Sequence, residues 1–156
     1  MNTSQRVDVK QSEVNEATDE DVRGVTVRVM LSPFDVPRAA SADYDKDGRI
    51  FRLKFEYLGS DEPTREKASG EGISLVVGKH SERLYGINIA LTALLAASIV
   101  TPNSELLINV AEDRVAKYLL NNPNMKSRSF EAVNRVLKRY SSELRPVLQE
   151  ALVAVS

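Results

Sequence analysis

The order of apolar and polar positions splits the chain into an extended half and a helical half. Val25, Val27, Val29 and Leu31 alternate with Thr26, Arg28 and Met30, the period of a strand with one buried face. The pattern stops at Ser32-Pro33. Phe51, Leu53, Phe55 and Tyr57 alternate with Arg52, Lys54, Glu56 and Leu58 and form the clearest strand in the chain. Ile73, Leu75, Val76 and Val77 supply another, and Leu84, Tyr85, Ile87 and Ile89 a fourth. Short turns join them, so residues 24–90 predict an antiparallel meander. Residues 34–42, with Pro37 and the run Ala39-Ala40-Ser41-Ala42, read as a loop or the start of an edge strand. Residues 59–72 read as a polar loop. Its Gly70-Glu71-Gly72 lacks the preceding strand and following helix that a phosphate-binding loop needs.

Beyond Asn88 the period becomes helical. Leu91, Leu94, Leu95 and Ile99 with intervening alanines suit a short helix that is apolar almost all round, the kind expected inside a core. Thr101-Pro102 starts a second helix with Leu107, Val110, Ala111, Val115, Tyr118 and Leu119 on one face, closed by the Asn-rich residues 121–124. Ser129 can cap a third, whose stripe is Phe130, Val133, Val136, Leu137 and Tyr140. A fourth begins near Ser142, takes Pro146 in its first turn and carries Leu144, Leu148, Ala151, Leu152 and Val155. The expectation is an α+β fold: a four-stranded antiparallel β-meander over residues 23–90, then about four C-terminal helices over 91–156, packed on the sheet or forming an oligomer interface. Residues 1–22 hold Asp8, Glu13, Glu16, Asp19, Glu20 and Asp21 against Arg6 and Lys10 without a sustained period, and are expected to be a flexible acidic arm.

Composition narrows the classes. A chain of 156 residues can bury a core of its own, and 28% charged with 42% apolar residues is ordinary for a soluble globular protein. The net charge of -1 gives no overall attraction to nucleic acid or anionic lipid, so any charged surface must be local. Cysteine is absent, which excludes disulfides, thiolate metal sites and cysteine nucleophiles. The first residues lack the basic start and apolar run of a signal peptide. The apolar run 87–100 is short for a membrane span and carries Asn88, Thr92 and Ser98. A cytoplasmic protein without a membrane partner is expected.

The stretch Asp43-Tyr44-Asp45-Lys46-Asp47-Gly48-Arg49-Ile50 carries the spacing of the first half of an EF-hand loop. The twelfth position of such a loop must be a bidentate Glu; here it is Lys54, and the downstream residues alternate with period two. Asp-Gly between strand-like segments marks a hairpin turn, with a weak calcium site of another type, held by Asp43, Asp45 and Asp47, as the alternative. His80, the single histidine, falls in a turn beside Lys79 and Ser81 and reads as solvated. No catalytic residue and no cofactor are indicated. Lys126, Arg128, Arg135, Lys138, Arg139 and Arg145 outnumber Glu131 and Glu143, and Arg135, Lys138 and Arg139 gather opposite the apolar stripe of their helix. That face either meets phosphates or is a solvated surface paired with the acidic arm or with Glu112 and Asp113.

Tyr44-Asp45, the alternation 50–55, Gly72-Ile73-Ser74-Leu75-Val76-Val77 and Leu84-Tyr85-Gly86-Ile87-Asn88-Ile89 together resemble a small bacterial family of β-meander proteins of unknown function, with the pattern YD…ALYI…GxIxGIEIL. The resemblance covers residues 43–90 and leaves the helical half unmatched. Asp47-Gly48 departs from the family's acidic-alanine pair and Asn88 from its Glu. The resemblance implies a small protein partner, antitoxin-like in some members, and no catalytic residues.

Four helices beside four strands offer more apolar surface than one sheet face covers, and Leu148, Leu152 and Val155 are the candidates for a homodimer interface. The leading expectation is a noncatalytic protein–protein interaction module that self-associates or binds another protein. The alternative is a nucleic-acid-binding or antitoxin-like regulator using the basic helix 129–141. An enzyme with an unrecognised pocket stands third.

Overall fold

The structure is a computed structural model that describes residues 3–15, 18–59, 62–121 and 128–155. Its elements, in chain order, are β1 (Thr3–Asp8), α1 (Gln11–Val14), β2 (Thr18–Val22), β3 (Val25–Val29), a 3-10 turn (Pro33–Asp35), β4 (Ala39–Asp45), β5 (Ile50–Glu56), β6 (Thr64–Ala68), β7 (Ile73–Gly78), β8 (Leu84–Ala90), α2 (Leu91–Val100), α3 (Asn103–Asn121) and α4 (Arg128–Val155). The fold is α+β, as the pattern predicts. Six strands form one antiparallel sheet in the order β1-β4-β5-β8-β7-β6, while β2 and β3 pair only with each other.

Alternation along β5 puts Phe51, Leu53 and Phe55 on the buried face and Arg52, Lys54 and Glu56 on the other. α4 lies across β1 and β4, and α2 rests on β8 and β5. Phe51, Leu53, Leu75, Ile87 and Ile89 from the sheet meet Leu94, Leu106, Phe130, Leu137 and Leu144 from the helices in one core. The opposite sheet face carries polar side chains, with Asp43 beside Arg52 and Ser74 beside Asn88 in register.

The strand count corrects the expected four-stranded meander, and each difference has a local cause. β1 comes from the segment expected as an acidic arm, residues 1–22. It reads as patternless because it is an edge strand whose Val7 reaches the core while Arg6 and Asp8 face water. β4 comes from the alanine-rich segment. It lies inside the sheet between β1 and β5, where the small side chains of Ala40 and Ala42 are buried on the core face and let α4 approach. β6 comes from the expected polar loop and is the other edge, with charged residues along it. The strand over residues 25–29 forms, but outside the main sheet.

The helices differ too. α4 runs unbroken through Pro146, so the expected third and fourth helices are one. Pro146 lies on the exposed side, as does Ser142, whose carbonyl loses its helical donor and is left to water. The buried stripe from Phe130 through Tyr140 and Leu144 to Ala151 continues past that point and holds the helix together. Among the described residues no single helix is long and apolar enough to cross a membrane; α2 and α3 reach that length only as a pair bent by 115°.

Candidate functional site

The structure gives each basic residue of the α4 face an acceptor. Arg135 bonds Glu131 at 2.9 Å and donates to the Val14 carbonyl at 3.2 Å. Lys138 lies 3.2 Å from Glu112, and Arg139 donates to Glu13 at 3.2 Å. Glu13 also accepts from the Tyr140 hydroxyl at 2.7 Å, and that hydroxyl accepts from the Lys10 N–H at 3.0 Å. The Tyr140 bond, then the Arg139 bond, hold the Glu13 carboxyl below its ordinary range. Arg135 and Arg139 thus help to seat residues 13 and 14, while the Lys138 and Arg139 side chains stay 62% and 59% exposed.

The interface candidates are distributed differently from expectation. Leu148 is fully buried in the core, so it is corrected from contact surface to packing residue. Leu152 and Val155 are half-buried against the same core. Asp43, Asp45 and Asp47 fall at the β4–β5 hairpin. Asp43 pairs with Arg52 at 3.3 Å and Lys54 at 3.8 Å, and Asp45 accepts the Asp47 N–H at 3.0 Å, closing the turn. Among the described residues no three carboxylate or histidine side chains converge as metal ligands. The His80 side chain is exposed in its turn.

Two features stand outside that list. The first is the β2–β3 hairpin. Its two-residue turn, Arg23-Gly24, has positive φ at both positions, 51° and 81°, the geometry that matches strand twist. Thr26 donates to Asp21 at 3.0 Å, and Arg28 lies 3.7 Å from Asp19, so the polar face is internally paired. On the other face Val25 is 62% exposed and Val27 40%. Nearby Met30 and Phe34 are exposed as well. The half-buried strand expected here is therefore a correction: the alternation is present, but among the described residues no layer covers its apolar side.

The base of this hairpin is tied down. Asn15 donates to the Leu31 carbonyl at 2.8 Å and accepts the Leu31 N–H at 3.0 Å, acting as one more backbone unit across the neck. Val14 and Leu31 on either side are buried. A two-stranded ribbon of this size is marginal alone, and the neck is what holds it to the body.

The second feature is a cleft of about 560 Å³ between α2, α3 and the β6–β7 turn. Ala93, Ala97, Ile73 and Val110 form its apolar walls, and Arg114 lies at its base. Arg114 is nearly buried, donating to the Ser69 carbonyl at 3.0 Å and pairing with Glu71, with Asp113 at 3.6 Å. Glu71 reaches it from a turn in which residues 70, 71 and 72 all have positive φ, at 83°, 57° and 78°. A Cβ on Gly72 would come within 2.9 Å of the Ala90 Cβ, so only glycine fits there. The guanidinium is spent on its own chain, which suits a structural tie. α2, expected inside the core, buries only Leu91 and Leu94 and ends with Ile99 80% and Val100 82% exposed.

A third cluster is structural. Glu62 accepts the N–H groups of His80 and Ser81, both at 2.9 Å, and the Tyr85 hydroxyl at 3.0 Å. Burial alone would raise its pKa; the Ser81 hydroxyl, the two N–H groups and Tyr85 outweigh that and lower it from 4.5 to about 2.

Set against protein-family models, curated proteins and solved structures, the chain matches none. The likeness of residues 43–90 to the YD…GIEIL family therefore rests on its alternating pattern alone. Arg114 was missed in the sequence although a signal existed: it shares a helical face with Leu107, Ala111 and Tyr118, where a cation needs buried partners.

Proposed function

We propose that this protein is a noncatalytic interaction module that associates with itself. The observation that supports this most is the β2–β3 hairpin, an element too small to be stable alone, anchored at its neck and carrying an uncovered apolar face of Val25 and Val27. Exposed Ile99 and Val100 at the end of α2 add a second apolar surface. The nucleic-acid alternative has less support, because Glu131, Glu112 and Glu13 already neutralise Arg135, Lys138 and Arg139. Catalysis has less still: His80 is a solvated turn residue, and the Arg114 cleft holds charges that satisfy one another.

Sedimentation velocity of the purified chain at low and high salt, with the absorbance ratio that reports nucleic acid, separates these readings. An oligomer that salt does not dissociate and that carries no nucleic acid is the expected result. A monomer carrying nucleic acid that salt strips off would favour the basic helix instead, since phosphate contacts weaken steeply as counterions compete.

A further inference from the structure

We infer that the uncovered edge of β3 pairs with the β3 edge of a second copy of this chain, antiparallel about a two-fold axis at Val27, to make a four-stranded ribbon. This rests on the self-association reading and names its surface. The edges of the molecule are guarded unequally. The outer strands of the main sheet carry charges, Arg6 and Asp8 on β1 and Arg65, Glu66 and Lys67 on β6, the usual protection against edge-to-edge pairing. β3 reads Val-Thr-Val-Arg-Val, with strong strand formers, no proline and a single charge, Arg28, which lies beside Asp19 of its own hairpin. It belongs to a sheet of two strands, so one of its edges has no neighbour among the described residues.

Register follows from the hairpin. Val22 lies opposite Val25 next to the two-residue turn, and Glu20 lies opposite Val27. Those are the hydrogen-bonded pairs of such a hairpin, so Val25 and Val27 direct their N–H and C=O groups to β2. Thr26 and Arg28 direct theirs outward. An axis at Val27 sets Thr26 against Arg28 of the second copy, and Arg28 against its Thr26, so the outward groups of both strands find partners. Charge agrees with that choice. Thr26 is bonded to Asp21, so Arg28 of one copy enters the acidic neighbourhood of Asp21 on the other while keeping its own Asp19. An axis at Arg28 would instead oppose two guanidinium groups. With the axis at Val27, the Val25 and Val27 side chains of both copies join in one apolar band.

The chain contains no cysteine, which makes the register directly testable. In this geometry Val27 faces Val27 of the second copy in a non-hydrogen-bonded pair with Cα atoms ~4.5 Å apart, within disulfide reach. Val27→Cys should form a covalent dimer under mild oxidation at least tenfold faster than Val25→Cys, whose mates lie several residues apart along the ribbon. Thr26→Pro removes an outward N–H and the Thr26–Asp21 side-chain bond but no rung of the hairpin's own ladder, so it should leave the hairpin paired and weaken association at least tenfold by sedimentation. If the unmodified chain is a dimer but Val27→Cys cross-links no faster than Val25→Cys and Thr26→Pro still dimerises, the β3 pairing is overturned while self-association stands. If the unmodified chain is monomeric at every concentration, both are overturned.

Discussion

Glu62 offers the most quantitative test of the packing described above. Its carboxylate pins the chain before β6 to the β7–β8 turn by accepting from the N–H groups of His80 and Ser81 and from Tyr85. Glu62→Gln keeps the shape, removes the charge and presents an amide N–H₂ to groups that donate. A fall in pKa from 4.5 to about 2 sets a ceiling of about 3 kcal/mol, at about 1.4 kcal/mol per pH unit. The group is only half-buried, and water screens part of that, so the loss expected at pH 7 is about 1–2 kcal/mol. The folded pKa lies below the unfolded one. The stabilisation is therefore complete above about pH 4.5 and is lost as the pH falls through about 2. Urea unfolding of both proteins at pH 7 and pH 3 reads the difference, which should shrink by more than half at the lower pH. An equal gap at both pH values, or no gap at pH 7, would refute the assignment of the clamp to charge.

Leu148→Ala should cost about 2–5 kcal/mol in unfolding free energy and leave the oligomeric state unchanged, because Leu148 fills the core and not a contact surface. Asn15→Ala strands both backbone groups of Leu31 and should loosen the neck by about 1–3 kcal/mol, seen as faster limited proteolysis within residues 18–30. Gly72→Ala forces a side chain into a positive-φ position 2.9 Å from the Ala90 Cβ, and should lower stability by about 1–3 kcal/mol in thermal unfolding.

What could be read from the chain followed how strongly each segment is patterned. Strands β5, β7 and β8 announce themselves because one face of each is buried, so burial shows as alternation. The buried faces of α3 and α4 are legible for the same reason: Leu107, Ala111, Val115 and Tyr118, then Phe130 to Tyr140. The edges of the sheet carry no such pattern. β6 has no buried residue, and β1 contributes little beyond Val7 to the core. β4 was misread because alanine is a poor strand former, yet its small size is what the close approach of α4 requires. Pro146 marked a helix start by local preference, but a continuous buried stripe outweighed one missing hydrogen bond. β3 and α2 are both apolar enough for a core, yet β3 leaves Val25 and Val27 exposed and α2 buries Leu91 and Leu94 while leaving Ile99 and Val100 exposed. The Asn15 clasp and the Glu62 clamp join residues 16 or more positions apart and leave no periodic trace.

Self-association through β3 would bury the outward amides of Thr26 and Arg28 in a new ladder. Amide hydrogen exchange at Thr26 and Arg28, followed by NMR over a protein dilution series, tests it most directly. Exchange at both should be slow at high concentration and quicken on dilution, while the buried amides of β5 stay protected throughout. Fast exchange at Thr26 and Arg28 at every concentration would contradict it.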